Sequence, residues 1–142
     1  MVEVHTAPAA VANATGDEVA QLRALIGQLD GLLQADDAHL THADWYRANH
    51  EFHRFMVALA GNEHILKIYD GLNLDVRLMR VVAGWGLAPL RPGLEVSQRH
   101  HREMTAAIEL GDVARLQDLM REHILDGTKR ALATLELVGG VL

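Results

Sequence analysis

Apolar side chains in this sequence recur every three or four residues, and no stretch keeps the period-two alternation of a β-strand. The pattern is clearest over 16–34, where Leu22 and Leu29 fall on the same side of a helix. Thr15 and Glu18 have the spacing of a capping box at the start of that helix. The spacing therefore predicts an all-α fold, an antiparallel helical bundle with short connections.

The same period predicts the other elements. Further helices are expected over 42–60, 63–83, 94–110 and 112–137, with a short one near 35–40 and a Gly- and Pro-rich loop over 84–93. Gly61 is expected to end the second long helix in the left-handed conformation, and Asn62 to cap the third. Pro8 is expected to interrupt any helix near the N-terminus. We divide the chain into 1–14, a tail or the remnant of a first helix; 15–138, the binding domain; and 139–142, a tail.

The composition limits the classes of function that the chain can have. The 142 residues suit one domain with a sizeable core, and 49% are apolar and 23% charged. The formal charge of −6 argues against nucleic acid as a direct partner, because phosphate binding needs clustered Lys and Arg. Cysteine is absent, so a metal would be held by nitrogen and oxygen ligands. With no long apolar run and no signal peptide, the expected location is the cytoplasm.

The most unusual local feature is a polar pair on an apolar helix face. Asn49 and His53 are four residues apart and so lie one above the other, among apolar neighbours such as Phe52 and Met56. Burying an amide and an imidazole is costly unless each has a partner. The pair therefore predicts either a hydrogen-bonded core or a ligand site.

Two later helices each carry a histidine on an apolar face, His101 and His123. His100 competes with its neighbour for the inward position; we favour His101, because its i+3 and i+7 positions are apolar. Metal sites in helical bundles are built from inward-facing side chains on facing helices. Asn49, His53, His101 and His123 are therefore candidate ligands of one divalent metal ion. Zinc is the metal we favour, with nickel, manganese or iron as alternatives.

Two arginines in the helix predicted over 63–83, Arg77 and Arg80, admit two interpretations. Both side chains can reach solvent with their stems packed on the core. One or both side chains can instead point into the bundle and bind a carboxylate. We find no Ser/His/Asp grouping and no Gly-rich phosphate loop, so no catalytic residues are assigned.

Several short motifs together resemble one family. From about 9 to 133 the chain resembles the FCD domain, the ligand-binding C-terminal domain of GntR-type, FadR-subfamily transcription regulators. The matching motifs, in chain order, are Asn49-x-x-Phe52-His53, Ala60-Gly61-Asn62, Ser97-x-x-x-His101-Arg102, Ala107-Ile108-x-x-Gly111-Asp112 and Met120-x-x-His123.

The resemblance implies a bundle of six or seven helices around a cavity, usually dimeric. It also implies that Asn49, His53, His101 and His123 hold a divalent ion. A small organic acid would bind that ion with help from Arg77 or Arg80. The family's first ligand is often Asp, whereas this chain has Asn49. The family's winged-helix DNA-binding domain has no counterpart in these 142 residues, so DNA is expected as a partner only through such a domain.

The leading hypothesis is thus a metal-dependent, small-carboxylate-binding regulatory and dimerisation domain without catalysis. One alternative is a small metalloenzyme that uses a three-histidine site, with Glu51 swung inward as a base. Another is a metal-free structural module in which the histidines only hydrogen-bond one another.

Overall fold

The computed structural model describes residues 1–34, 42–72 and 91–137. These contain six helices and no strand, which confirms the all-α prediction. In chain order they are α1 Val2–Asn13, α2 Gly16–Gln34, α3 His42–Ala58, α4 Glu63–Leu72, α5 Arg91–Leu110 and α6 Val113–Leu137. The predicted short helix near 35–40, the second half of the helix predicted over 63–83 and most of the 84–93 loop lie outside the described residues.

The helices enclose one apolar core. Neighbouring pairs are α5 with α6, α2 with α5, α2 with α3, α1 with α6, α1 with α3, and α3 with α4. Large side chains that are almost fully buried come from four helices: Leu22, Leu29, Trp45, Phe52, Met56, Met104, Leu116, Leu119 and Met120. Among the described helices, none combines the length and the apolarity needed to cross a membrane.

Helix α1 contradicts the prediction that Pro8 interrupts helical structure near the N-terminus, because Pro8 lies within it. A proline inside a helix removes the hydrogen bond to the carbonyl four residues earlier, here that of Val4. The side-chain amide of Gln117 donates to this carbonyl oxygen at 3.0 Å. A side chain of α6 thus replaces the bond that Pro8 cannot make.

The start of α5 also differs from the predicted loop. The helix begins at Arg91, so Pro92 and Gly93 belong to its first turn. Proline is tolerated there, because the first N–H groups of a helix have no partner within it. The predicted loop over 84–93 is therefore wrong for its last three residues.

The capping signals read from the sequence are present. The Thr15 amide donates to a carboxylate oxygen of Glu18 at 2.6 Å, as the capping box requires. The side-chain oxygen of Asn62 accepts from the amides of His64 and Ile65, each at 3.1 Å. Gly61 has φ of 69°, the left-handed conformation predicted for the end of α3.

Gly61→Ala tests this helix end. The left-handed backbone costs an L-residue about 1–2 kcal/mol, and the added Cβ would lie 3.3 Å from the side-chain nitrogen of Asn13. We expect the free energy of unfolding in urea to fall by about that amount. Gly27→Ala is the matched control: Gly27 is exposed inside α2 with no atom within 4 Å of the new Cβ, so stability should rise by about 0.5–1 kcal/mol. Equal effects of the two substitutions would contradict this account of Gly61.

Candidate metal centre

Three imidazoles from three helices converge in the core: His53 of α3, His101 of α5 and His123 of α6. One ring nitrogen of each lies within 4.8 Å of the others, and the side chains are 2%, 0% and 8% exposed. The structure therefore brings together the three histidines that the helical spacing placed on apolar faces. The set supplies three nitrogen donors to one point inside the bundle.

The closest contact in the cluster joins His53 and His123, whose Nε2 atoms lie 3.0 Å apart. Two imidazole nitrogens at this distance cannot both present lone pairs to each other. Either one nitrogen carries a proton and donates it, or both lone pairs point at a shared cation. The ring of His101 closes the third side, with its centroid 5.1 Å from that of His53 and 4.9 Å from that of His123.

His101 has a fixed orientation. Its Nδ1 lies 3.0 Å from the side-chain oxygen of Gln98, which can only accept, so Nδ1 carries the proton. The amide nitrogen of Gln98 donates to the Ile26 carbonyl and to Asp30, each at 2.8 Å, so the amide cannot be flipped without losing both bonds. Arg102 in turn pairs with Asp30. The lone pair of His101 therefore lies on Nε2.

Nε2 of His101 is buried, and no described residue offers it a hydrogen-bond partner. Buried polar atoms in folded proteins are almost always paired, and leaving one unpaired costs about 1–3 kcal/mol. A divalent cation bound by Nε2 would remove this cost. The donor set is also suitable, since neutral imidazoles bind zinc, nickel and iron. The residues present fit a metal ion.

A fourth side chain of the centre was missed by sequence reasoning. Glu3 of α1 is 6% exposed, and its Oε2 lies 3.2 Å from Nδ1 of His53. The hydroxyl of Tyr69 on α4 donates to the other carboxylate oxygen at 2.9 Å. In the sequence, Glu3, Ala7 and Ala10 have the spacing of residues that lie on one face of a helix, and all three are buried. The expectation that Pro8 interrupts a helix there hides this spacing.

Burial and charge set the protonation of these groups. Burial raises the pKa of Glu3, but the charge of His53 and the hydrogen bonds from His53 and Tyr69 outweigh it and lower the pKa to about 2. Burial lowers the pKa of His101 and of His123 well below the usual value, and the charge of His53 adds to the effect on both. At neutral pH the centre thus holds the carboxylate of Glu3 and the neutral imidazoles of His101 and His123, and the neutral imidazole is the form that binds metal ions.

The other residues considered as ligands or effector contacts are Asn49, Arg77, Arg80 and His100. Asn49 is half-buried on α3, one turn before His53, and its part as a fourth ligand stays a prediction. Arg77 and Arg80 lie outside the described residues. His100, expected to yield the inward position to His101, is also buried, with its ring centroid 5.8 Å from that of His123.

Three other polar residues of α3 lie near His53 in the sequence: His50, Glu51 and Arg54. Glu51 is exposed on α3. His50 is half-buried and stacked on Tyr69 with a ring-centroid distance of 5.9 Å. Arg54 pairs with Asp70 of α4 at 2.8 Å. No carboxylate other than Glu3 appears among the buried polar groups of the described chain.

Comparison with known proteins agrees with the sequence resemblance. The sequence model of the FCD domain matches residues 1–126, a span that includes α1. The chain belongs to the FCD domain family, which confirms its resemblance to the helical domain of GntR-type regulators. No curated protein matches the sequence significantly.

Among solved structures, the fold is similar to that of E. coli McbR/YncC, with a TM-score of 0.78 and 16% sequence identity. The match covers 93% of this chain and 59% of that one, so this chain spans about three-fifths of the length of that structure. Similarity at this level of identity concerns the fold.

Gln98→Met tests whether Gln98 supports the centre. Methionine has a similar length and volume but cannot bond to His101, Ile26 or Asp30, so a buried N–H of His101 loses its acceptor. We expect the free energy of unfolding in urea to fall by about 1–3 kcal/mol. Gln28→Met at an exposed position of α2 should change it by less than about 0.5 kcal/mol. A Gln98 variant as stable as the Gln28 variant would contradict this role.

Proposed function

We propose that this chain is a metal-dependent effector-sensing domain of a GntR-type transcription regulator. The observation that carries the proposal is the convergence of His53, His101 and His123, with Nε2 of His101 buried and offered no hydrogen bond by the described residues. Membership in the FCD domain family supports a regulatory role.

Zinc is the metal that we propose, with nickel, manganese or iron as alternatives. Zinc readily accepts three imidazoles together with oxygen donors, and it can bind four or five ligands. The carbonyl oxygen of Asn49 is the fourth protein donor that we propose, because Asn49 lies one turn from His53 on the same helix.

The charge of the centre favours an anionic effector. Three neutral imidazoles leave the charge of a divalent ion uncompensated, and Glu3 is the buried carboxylate that contacts one of these rings. A divalent ion beside the single negative charge of Glu3 leaves one positive charge without a counterion, and an unbalanced charge in an apolar interior is costly. A small organic acid bound through its carboxylate would supply that counterion. Arg77 and Arg80 are the residues that we propose for a second contact with this acid.

The proposal is sensing rather than catalysis. A metal-bound water becomes a useful nucleophile only where a general base can take its proton. Glu51, the base considered from the sequence, is exposed, and Glu3 already contacts His53 and Tyr69. These positions favour a site that binds an acid over one that transforms it.

In the complete regulator, the acid would act by binding two domain arrangements with different affinity. The output would be DNA binding by a winged-helix domain, and the functional unit would be a homodimer. Exposed apolar residues on α4 and α6, among them Ile68 and Leu125, supply surface that a second copy would cover.

The metal site is tested first. After removal of bound metal and reconstitution with zinc, we expect elemental analysis to give about one zinc ion per chain, because the three imidazoles converge on one site. Zinc should raise the melting temperature, since it binds only the folded chain. His101→Ala should abolish both effects. His64→Ala, which removes an exposed histidine of α4, should leave both unchanged.

A zinc content below about one ion in ten chains, unaffected by His101→Ala, would overturn the metal site. A melting temperature insensitive to chelators and to added zinc would favour the metal-free module, in which His53 and His123 share a proton.

The effector class is tested with the zinc-loaded protein and three probes: lactate, malate and citrate. We expect at least one to bind by calorimetry, and none to bind the metal-free protein, because the carboxylate needs the cation. Removing a charged hydrogen bond costs about 1.5–3 kcal/mol, so Arg77→Gln or Arg80→Gln should weaken binding roughly ten- to hundredfold. Arg47→Gln at an exposed position of α3 is the control. Equal binding with and without zinc would contradict a metal-bound carboxylate.

A further inference from the structure

Glu3 is a buried carboxylate in the first turn of α1, and it touches the centre from outside the histidine cluster. It contacts Nδ1 of His53, whereas Nε2 of the same ring faces His123. The two nitrogens of an imidazole lie on different sides of the ring. Glu3 therefore does not share the point at which the three histidines meet.

We propose that Glu3, held by Tyr69, is the positioning residue of His53 and couples the docking of α1 to metal binding. This inference rests on the proposed metal centre and extends it to residues that the ligand set does not include. Its basis is the contact of Glu3 with His53 at 3.2 Å and with Tyr69 at 2.9 Å, all three side chains being buried.

The contact fixes which nitrogen of His53 can bind a metal. An ionised carboxylate only accepts, so a neutral His53 beside it carries its proton on Nδ1 and keeps the lone pair on Nε2 for a metal. Metal-binding histidines are commonly oriented in this way by a carboxylate, which also makes the ring a stronger donor. Glu3 thus does for His53 what Gln98 does for His101, and it adds a negative charge.

Tyr69 fixes the carboxylate itself. Its hydroxyl occupies Oε1 of Glu3, which leaves Oε2 to His53. The ring of Tyr69 is 9% exposed and stacks on His50 of α3. The carboxylate is therefore held between α3 and α4, and not by α1 alone.

The arrangement makes α1 part of the binding equilibrium. The buried face of α1 that carries Glu3 also includes Val4, Thr6 and two fully buried small residues, Ala7 and Ala10. Binding couplings are reciprocal, so whatever factor the docked Glu3 adds to metal affinity, the metal adds to the docking of α1. A metal ion bound at the histidines would thereby hold the first helix of the domain in place.

Glu3→Gln is the first test, because it keeps the shape and an acceptor oxygen and removes the charge. Loss of such an outer partner typically costs 10–100-fold in metal affinity. We expect this loss for zinc and cobalt, measured by competition with a chromophoric chelator, together with a changed visible spectrum of the cobalt form. Glu51→Gln, which removes an exposed carboxylate two residues before His53, should stay within about twofold of the unmodified protein.

Hydrogen exchange with and without zinc distinguishes a positioning role of Glu3 from a merely structural one. We expect zinc to slow exchange of the α1 amides in the unmodified protein and to have little effect on them in Glu3→Gln. Tyr69→Phe removes only the hydroxyl that fixes Glu3 and should weaken zinc binding by a smaller factor. It replaces Glu3→Gln as the deciding variant if the latter does not fold.

Unchanged zinc affinity, cobalt spectrum and α1 protection in the folded variant would overturn the inference and leave the metal site intact. Failure of the unmodified protein to bind zinc would instead overturn the metal site, and the inference with it.

Discussion

The rest of the structure depends on the cost of placing three imidazoles and one carboxylate inside an apolar core. His53, His101, His123 and Glu3 are each at least nine-tenths buried, beside side chains such as Phe52, whose ring centroid lies 4.5 Å from that of His101. Polar groups in such surroundings destabilise a fold unless every donor and acceptor is paired. The surrounding helices supply most of these partners, and what they leave unpaired defines the centre.

Each of the six described helices contributes a polar group to this network. Glu3 comes from α1, Asp30 from α2, His53 from α3 and Tyr69 from α4, while α5 contributes Gln98 and His101, and α6 contributes His123. Asp30 acts through Gln98, and Tyr69 acts through Glu3. Side chains from all six described helices therefore meet at the centre or contact a residue that does.

The sequence pattern predicted the parts of this arrangement that depend on local periodicity. Apolar spacing located the helices, and the position of His53, His101 and His123 on apolar faces predicted their convergence. The role of Glu3 was not predictable in this way. It depends on a helix that contains Pro8, and that helix is completed by a bond from Gln117, over a hundred residues away in the chain. Long-range compensation of this kind leaves no local pattern.

The three histidines are not equivalent, and the difference bears on sensing. Nδ1 of His101 bonds to Gln98, and Nδ1 of His53 lies 3.2 Å from the carboxylate of Glu3, so Nε2 is the nitrogen that each of these rings has left for a metal. His123 has no such acceptor: its Nδ1 is buried and receives no hydrogen-bond partner from the described residues. In the 3.0 Å contact between Nε2 of His53 and Nε2 of His123, one of the two nitrogens must carry the proton when no cation lies between them. If a cation bound between them, Nε2 of His123 would present its lone pair and Nδ1 would carry the proton. Glu3 and Gln98 thus orient two of the rings, whereas the tautomer of the third, His123, would depend on whether a cation is bound at the centre.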